Sequence, residues 1–321
     1  LDTNFRNYID QSTLLVYNDD VPSCNGTEDD DTAKEPGMRI ANVSGRLALL
    51  TVEGWTDVAR ASKGLFSPDP QEIFEPWEEF RHWAAEAPPA NDVTLEDADL
   101  LSPVPRPRQV LAIGLNYRDH ANESGFAVPQ QPPVFTKFVS SIAGPYADVN
   151  LPDGNVDWEV ELVAIIGRRA WQVREERAWS HVAGLTVGQD VSERKLQLSG
   201  PVPQFSLGKS YPGFTPMGPH LVTPDEFNNP DDLELGCSIN GEDVQKGRTR
   251  DLIFSVPQLI ARLSAVLPLL PGDLIFTGTP AGVGLGRSPQ RFLERGDVLR
   301  SYVAGIGEIE QRFVGPTEKD Q

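Results

Sequence analysis

Asp157-Trp158-Glu159-Val160-Glu161-Leu162-Val163-Ala164-Ile165-Ile166 is the stretch on which the reading of this chain turns. Its alternation predicts a strand, in which side chains two residues apart share a face at roughly 7 Å. Glu159 and Glu161 therefore lie on one face, and Val160, Leu162 and Ala164 pack the other. Beyond Glu161 the first face also turns apolar, at Val163 and Ile165. Two carboxylates at the end of an otherwise buried strand lose hydration and repel each other. A hard divalent cation relieves both costs. A second apolar strand, His181-Val182-Ala183-Gly184-Leu185-Thr186-Val187-Gly188-Gln189, runs into Asp190 and supplies a third carboxylate. Three carboxylates with positions left for water suit Mg²⁺ or Mn²⁺. Spacing alone also admits the plainer alternative of two edge glutamates in water and a turn aspartate.

Working outward, the predicted strands are 109–115, 159–166, 182–189, 233–240, 273–277 and 298–304. Asn240-Gly241 between strand runs signals a hairpin. A helix is expected over 255–267, capped by Ser255, with Pro257 in its first turn and Pro268 at its end. Many short strands separated by Gly/Pro turns indicate a mainly β sandwich or roll with some α. Residues 38–104 read as a small N-terminal α+β domain. It begins with strand runs 38–43 and 46–52 about the Ser44-Gly45 turn. A helix follows over 70–86 with a core stripe of Phe74, Trp77, Phe80 and Trp83. The Pro-rich run Ser102-Pro103-Val104-Pro105-Arg106-Pro107 suggests a boundary, and 105–316 is then the catalytic domain, with 317–321 a tail. Residues 1–37 carry nine acidic residues against Arg6 and Lys34, which predicts an acidic, disordered extension.

Composition narrows the function. The 321 residues carry a net charge of −19, which disfavours nucleic acid and anionic membranes. Apolar runs such as 263–270 are far shorter than the ~20 residues of a membrane span. Cys24 and Cys237 cannot build a disulfide framework or a thiolate zinc site, so a cytoplasmic setting is the expectation. Two sequences mimic nucleotide loops. Pro203-Gln204-Phe205-Ser206-Leu207-Gly208-Lys209-Ser210 has Pro203 where a P-loop needs its first glycine, and Tyr211-Pro212-Gly213 cannot start the helix that should follow. Gly282-Val283-Gly284-Leu285-Gly286 reads as a plain turn.

Against this acidic background Arg118, Lys137, Arg194 and Lys209 crowd about the informative segments and could draw in a small dianion. His120 follows the strand at 109–115, and Glu123 lies three residues on, one helical turn away. A carboxylate that orients an imidazole makes it a usable general base. Spacing alone favours an incidental contact on a loop helix.

Several ordered segments resemble the fumarylacetoacetate hydrolase (FAH) family: Ala112-Ile113-Gly114-Leu115-Asn116-Tyr117-Arg118-Asp119-His120, Glu159-Val160-Glu161, Gly188-Gln189-Asp190, Gly208-Lys209-Ser210 and Thr277-Gly278-Thr279-Pro280-Ala281-Gly282-Val283-Gly284. The likeness runs over about 38–315. It implies an FAH-type mixed β-sandwich roll with a small N-terminal domain. It also implies metal ligands at Glu159, Glu161 and Asp190, and an acid/base dyad of His120 and Glu123 on a mobile lid over 118–133. Lys209 would be a catalytic lysine near the metal, and Lys137, Gln197 and Thr279 would bind or support substrate, beside Arg118. Some acylpyruvate and oxaloacetate enzymes of the family have Arg where this chain has Leu115.

The resemblance implies an Mg²⁺- or Mn²⁺-dependent enzyme, with Ca²⁺ a further option, acting on a small anionic 2-oxo acid. The expected reaction is C–C hydrolysis of a 1,3-diketo acid such as an acylpyruvate or fumarylpyruvate through a metal-bound enolate, as in aromatic catabolism. Enolate chemistry without water gives the rivals: an oxaloacetate decarboxylase or a 2-hydroxy-diene-dioate isomerase. A non-catalytic metal-binding protein is a third reading. By resemblance the chain is expected to form a homodimer.

Overall fold

Ser44 and Gly45 both take left-handed backbone, at φ 51° and 85°, and turn β1 (Arg39–Val43) directly into β2 (Arg46–Thr51). Strand β3 (Gly54–Asp57) and a short α1 (Val58–Ala61) follow, with Asp57 accepting from the Arg60 amide as the helix cap. This is a computed structural model, and it describes residues 37–96, 99–123 and 127–315. Apart from Gly37, the acidic extension expected at 1–37 lies outside the described residues. So do the 317–321 tail and residues 124–126 of the expected lid.

The helix expected over 70–86 is broken. Glu72–Phe74 forms a 3-10 turn and α2 spans Trp77–Ala85, because Pro76 at the junction lacks the amide that a continuous helix needs. Phe74, Trp77 and Phe80 of the stripe are buried. After β4 (Leu100–Leu101) come β5 (Val110–Ile113), α3 (Arg118–Glu123), β6 (Val134–Thr136), β7 (Ile142–Ala143), β8 (Asp148–Asn150) and β9 (Val156–Asp157). The strands β10 (Val160–Ile166) and β11 (Val182–Gln189) form the centre, followed by β12 (Ser192–Glu193), α4 (Arg194–Gln197) and α5 (Phe205–Gly208). Next come β13 (Thr215–Val222), β14 (Glu234–Ile239), β15 (Glu242–Arg248), α6 (Val256–Ser264), β16 (Leu274–Phe276), β17 (Val298–Val303) and β18 (Gly307–Val314). The fold is mainly β with some α. Helix α6 ends three residues short of the expected 267, but its start is as read: Ser255 and Gln258 form a reciprocal capping box.

The main sheet runs β3-β2-β1-β13-β11-β10-β16-β5-β6, and a second runs β15-β14-β17-β18-β8. The strands of 38–104 thus join the sheet of the later region, β1 pairing antiparallel with β13. The Pro-rich run lies against this sheet: Val104 is fully buried and Asn42 Nδ2 donates to the Ser102 carbonyl at 2.8 Å. The described residues belong to one compact unit.

Strand β10 shows why. Val160, Leu162, Ala164 and Ile166 pack into a core shared with the second sheet and α6, through Leu235, Ile239, Leu259, Leu299 and Phe313. Val163 and Ile165 face a second core of Ile40, Leu49, Phe74, Trp77, Phe80 and Phe276. Both faces of β10 are therefore apolar except at its N-terminal end, where Glu159 and Glu161 stand.

Candidate active site

Antiparallel pairing of β10 with β11 sets Glu161 opposite Gly188 and Val160 opposite Gln189. Asp190, one residue beyond β11, donates its amide to the Glu159 carbonyl at 2.9 Å. The start of one strand and the end of the other are thus the same place. Ligand oxygens of Glu159, Glu161 and Asp190 lie within 4.8 Å of one another, and all three residues are buried.

Glu159 itself precedes β10, and two glutamines shape the chain there. Gln189 Oε1 accepts the Glu159 amide at 2.8 Å, and Gln245 Oε1 accepts the Val160 amide at 3.0 Å. Gln245 Nε2 also donates to Thr279 Oγ1 at 2.9 Å, while that hydroxyl donates to the Val160 carbonyl at 2.8 Å. Thr279, expected as a substrate contact, is thus bonded to the β10 backbone and Gln245. Next to it Gly278 donates its amide to Glu161 Oε2 at 2.7 Å. Its φ of 98° and a Cβ position 2.7 Å from Asn116 Cβ leave room only for glycine.

Three buried cations meet these carboxylates. Lys209 Nζ donates to Glu159 Oε2 at 2.8 Å, Asp190 Oδ2 at 2.7 Å and Ser192 Oγ at 2.8 Å. Lys137 Nζ donates to Asp190 Oδ1 at 2.5 Å and to the Lys209 carbonyl. Arg194 reaches Glu159 Oε1 at 2.7 Å, Gln197 Oε1 at 2.9 Å and, through Nε, Asp157 Oδ2 at 2.9 Å. Burial works against ionisation of Glu159, but Lys209 and Arg194 outweigh it and hold its carboxyl below the usual range. Glu161 is the opposite case. Burial first, then the Asp190 and Glu159 charges, push its pKa well up, and the Lys209 charge and the Gly278 amide offset only part.

With Asp157 included, four buried carboxylates face three cations. Among the described residues no lysine or arginine forms an ion pair with Glu161. A hard divalent cation fits this oxygen donor set because it would neutralise the carboxylate that the protein leaves without a cationic partner. Glu159, Glu161 and Asp190 are the residues that would hold it.

The dyad enters from the end of β5. Asn116, fully buried, donates to the carbonyls of Phe254 and Thr277 at 2.9 and 2.7 Å and accepts the Phe254 amide at 2.7 Å. This clamp ties the chain just ahead of α3 to the segment before α6 and to the residue that follows β16. His120 Nδ1 faces Glu123 Oε2 at 3.6 Å, within ion-pair reach but longer than a hydrogen bond. Glu123 Oε2 also accepts the Gly282 amide at 2.9 Å.

The glycine loop expected to be a plain turn is thus a row of backbone donors. Gly284 and Leu285 donate to the two oxygens of Asp157 at 2.6 and 2.9 Å. A Cβ on Gly286 would sit 2.4 Å from Glu123. Asp157 was not singled out from the sequence, nor were Gln189, Gln245 and Ser192. Only the polarity of Asp157 just ahead of a buried strand hinted at a role.

His120, Glu159, Arg194 and Gln197 line one cavity of about 240 Å³, together with Gly114, Leu115, Pro133, Leu198, Phe205, Val283 and Leu285. Arg118 is not among them. It is exposed and lines a separate cavity of about 430 Å³ with Tyr117, Lys246 and Arg250.

The chain is similar to several known proteins. The family model described as fumarylacetoacetate (FAA) hydrolase C-terminal matches residues 109–314. The human oxaloacetate tautomerase FAHD2A, mitochondrial, is 43% identical over 238 residues, covering 73% of this chain and 74% of that protein. Among solved structures, a Mycobacterium smegmatis protein described as HpcE has a TM-score of 0.84 at 57% identity, covering 87% of this chain and 100% of that one. Maleylpyruvate hydrolase from Sphingobium sp. SYK-6, solved with manganese(II) and pyruvate, has a TM-score of 0.70 at 29% identity, covering 87% of this chain and 100% of that one. No helix among the described residues is long and apolar enough to cross a membrane. The family match over residues 109–314, together with 43% identity to the human relative over 73% of this chain, shows that the chain belongs to the fumarylacetoacetate hydrolase family.

Proposed function

We propose that the protein is an Mg²⁺- or Mn²⁺-dependent enzyme that hydrolyses the C–C bond of a small 1,3-diketo acid of the acylpyruvate type. The observation that carries this reading is that His120 and Glu159 face one cavity, with the carboxylate trio behind Glu159. A divalent cation held there supplies chelation of a 2-oxo carboxylate and stabilises the negative charge that develops as the neighbouring bond breaks.

The remaining work falls to side chains of this chain. Glu123 stands on the Nδ1 side of the His120 ring, which leaves Nε2 to take a proton from water. Water attacks the distal carbonyl, the bond to the central carbon breaks, and the water oxygen leaves in the released acid. The proton on His120 then returns to that central carbon, completing pyruvate. Lys209 and Lys137 fix Asp190 and Glu159 in place.

A second reading, tautomerisation of oxaloacetate, draws on the relatives that carry that name. It needs the same proton transfer but no attacking water. The test is His120→Ala, assayed in single turnover with acylpyruvate and, separately, with enol-oxaloacetate. Acylpyruvate hydrolysis is expected to fall by about 10²–10⁴-fold, the usual span of general-base catalysis. Oxalate binding to the metal-loaded protein should persist. Hydrolysis at the wild-type rate places the base elsewhere. Turnover of enol-oxaloacetate without any acylpyruvate hydrolysis favours the second reading.

A further inference from the structure

The cavity lined by Glu159 has few polar side chains. Beyond His120, Glu159, Arg194 and Gln197 its walls are Leu115, Pro133, Leu198, Phe205, Val283 and Leu285. Several of these are not packed away: Leu198 is 43% exposed, and Leu115, Phe205 and Leu285 are half-buried. Apolar side chains that stay partly wet around a concave site gain when a ligand covers them. Nothing on these walls would receive a charge. Among the described residues Arg194 is the sole lysine or arginine lining the cavity, and Asp157, Glu159 and Gln197 already occupy it. A carboxylate placed among these walls would lose its water without gaining a free cation. Arg118, a cation of α3 itself, opens onto the separate cavity instead.

We propose that this cavity selects the distal substituent of the substrate, taking a short alkyl or aryl tail and rejecting a distal carboxylate, with Leu115, Leu198 and Phe205 as the specificity-determining side chains. This rests on the 2-oxo acid reading above. The expected preference is graded. Each methylene that reaches the walls should raise kcat/KM by about four-fold until the cavity is filled. Oxaloacetate and fumarylpyruvate, which end in a carboxylate, should fall below the alkyl series.

The experiment measures kcat/KM of the full chain with Mn²⁺ on acetyl-, butanoyl-, hexanoyl- and benzoylpyruvate and on the two dicarboxylates. Oxalate, which has no tail, is titrated in parallel by calorimetry. Leu115→Arg should shift the ratio of dicarboxylate to alkyl turnover by roughly ten- to a hundred-fold toward the dicarboxylate, the scale of a charged hydrogen bond. Leu198→Ala, at a half-exposed position that the fold can lose, should flatten the gain per methylene. Both variants should bind oxalate as the wild type does. If Leu115→Arg loses oxalate binding through misfolding, the Leu198→Ala series decides. A flat wild-type series, or faster turnover of the dicarboxylates with oxalate still bound, overturns the inference and leaves the 2-oxo acid reading standing. Failure of the wild type to bind oxalate overturns both.

Discussion

At the residue scale, Asp157 shows what a single buried carboxylate can organise. It accepts from Arg194, from the amides of Gly284 and Leu285 and from its neighbour Trp158, and so joins β9, α4 and the glycine loop. Asp157→Asn keeps the shape but leaves the Arg194 charge short of a partner. We expect it to cost about 3–5 kcal/mol in urea unfolding, the usual cost of breaking a buried pair from one side. A loss under ~1 kcal/mol would show that Glu159 alone satisfies Arg194. Glu123 gives a pH signature. Burial raises its pKa, but His120 and the Gly282 amide outweigh burial and leave it below the ordinary glutamate value. A group depressed on folding contributes stability that is complete above its unfolded pKa of about 4.3 and is lost as pH falls through the lower folded value. The melting-temperature gap between wild type and Glu123→Gln should therefore be constant from pH 7 to about 5 and shrink below about 4. A gap that persists undiminished at pH 3 would mean that the carboxylate charge does not hold α3. Glu159, Glu161 and Asp190 could be named from the sequence because alternation and strand ends are local. That Glu161 alone lacks a cation could not be read there, since Lys137, Lys209 and Arg194 arrive from three other elements.

At the element scale, the strands that read well are those with uninterrupted apolar runs. Val160–Ile166 and Val182–Gln189 fall within a residue of expectation, and Asn240 and Gly241 adopt the left-handed backbone of a tight hairpin, at φ 53° and 85°. Strand β13 was not expected. Pro216 and Pro219 lack the amides of a regular ladder, yet the strand sits between β1 and β11, where the register shifts between Leu185 and Val187. Close contact between β10 and β11 also depends on a small residue. A Cβ on Gly188 would lie 2.5 Å from Val163 Cγ2 and 2.7 Å from Phe276 Cε1. Gly188→Ala is expected to destabilise by about 1–3 kcal/mol through overpacking. It should also reduce turnover, because Gly188 stands opposite Glu161. Denaturation midpoints and rates measured on the same sample check both, and an unchanged midpoint would show that Val163 and Phe276 yield freely.

At the scale of the whole molecule, residues 38–104 supply four strands of the main sheet, β1 to β4, and the aromatic half of one core. We expect a fragment of residues 105–315 to fail to fold on its own, because Val163, Ile165 and Phe276 would face water in place of Ile40, Phe74, Trp77 and Phe80. Hydrogen exchange and near-UV circular dichroism of the fragment test this, and a cooperative melt would show an independent domain. The sequence by itself determined the β-rich class, the hairpins and the capped helix at Ser255, and it marked the three carboxylates as candidates, because each is written in periodicity, turn residues or short motifs along the chain. Only the tertiary structure decided that β1 closes onto β13, that Gln189 and Gln245 hold the backbone before β10, that Thr279 is bonded beneath that strand and that Arg118 opens onto another cavity. These depend on partners far apart in sequence, and neither a 2-residue nor a 3.6-residue period records which distant side chain completes a hydrogen bond or neutralises a charge.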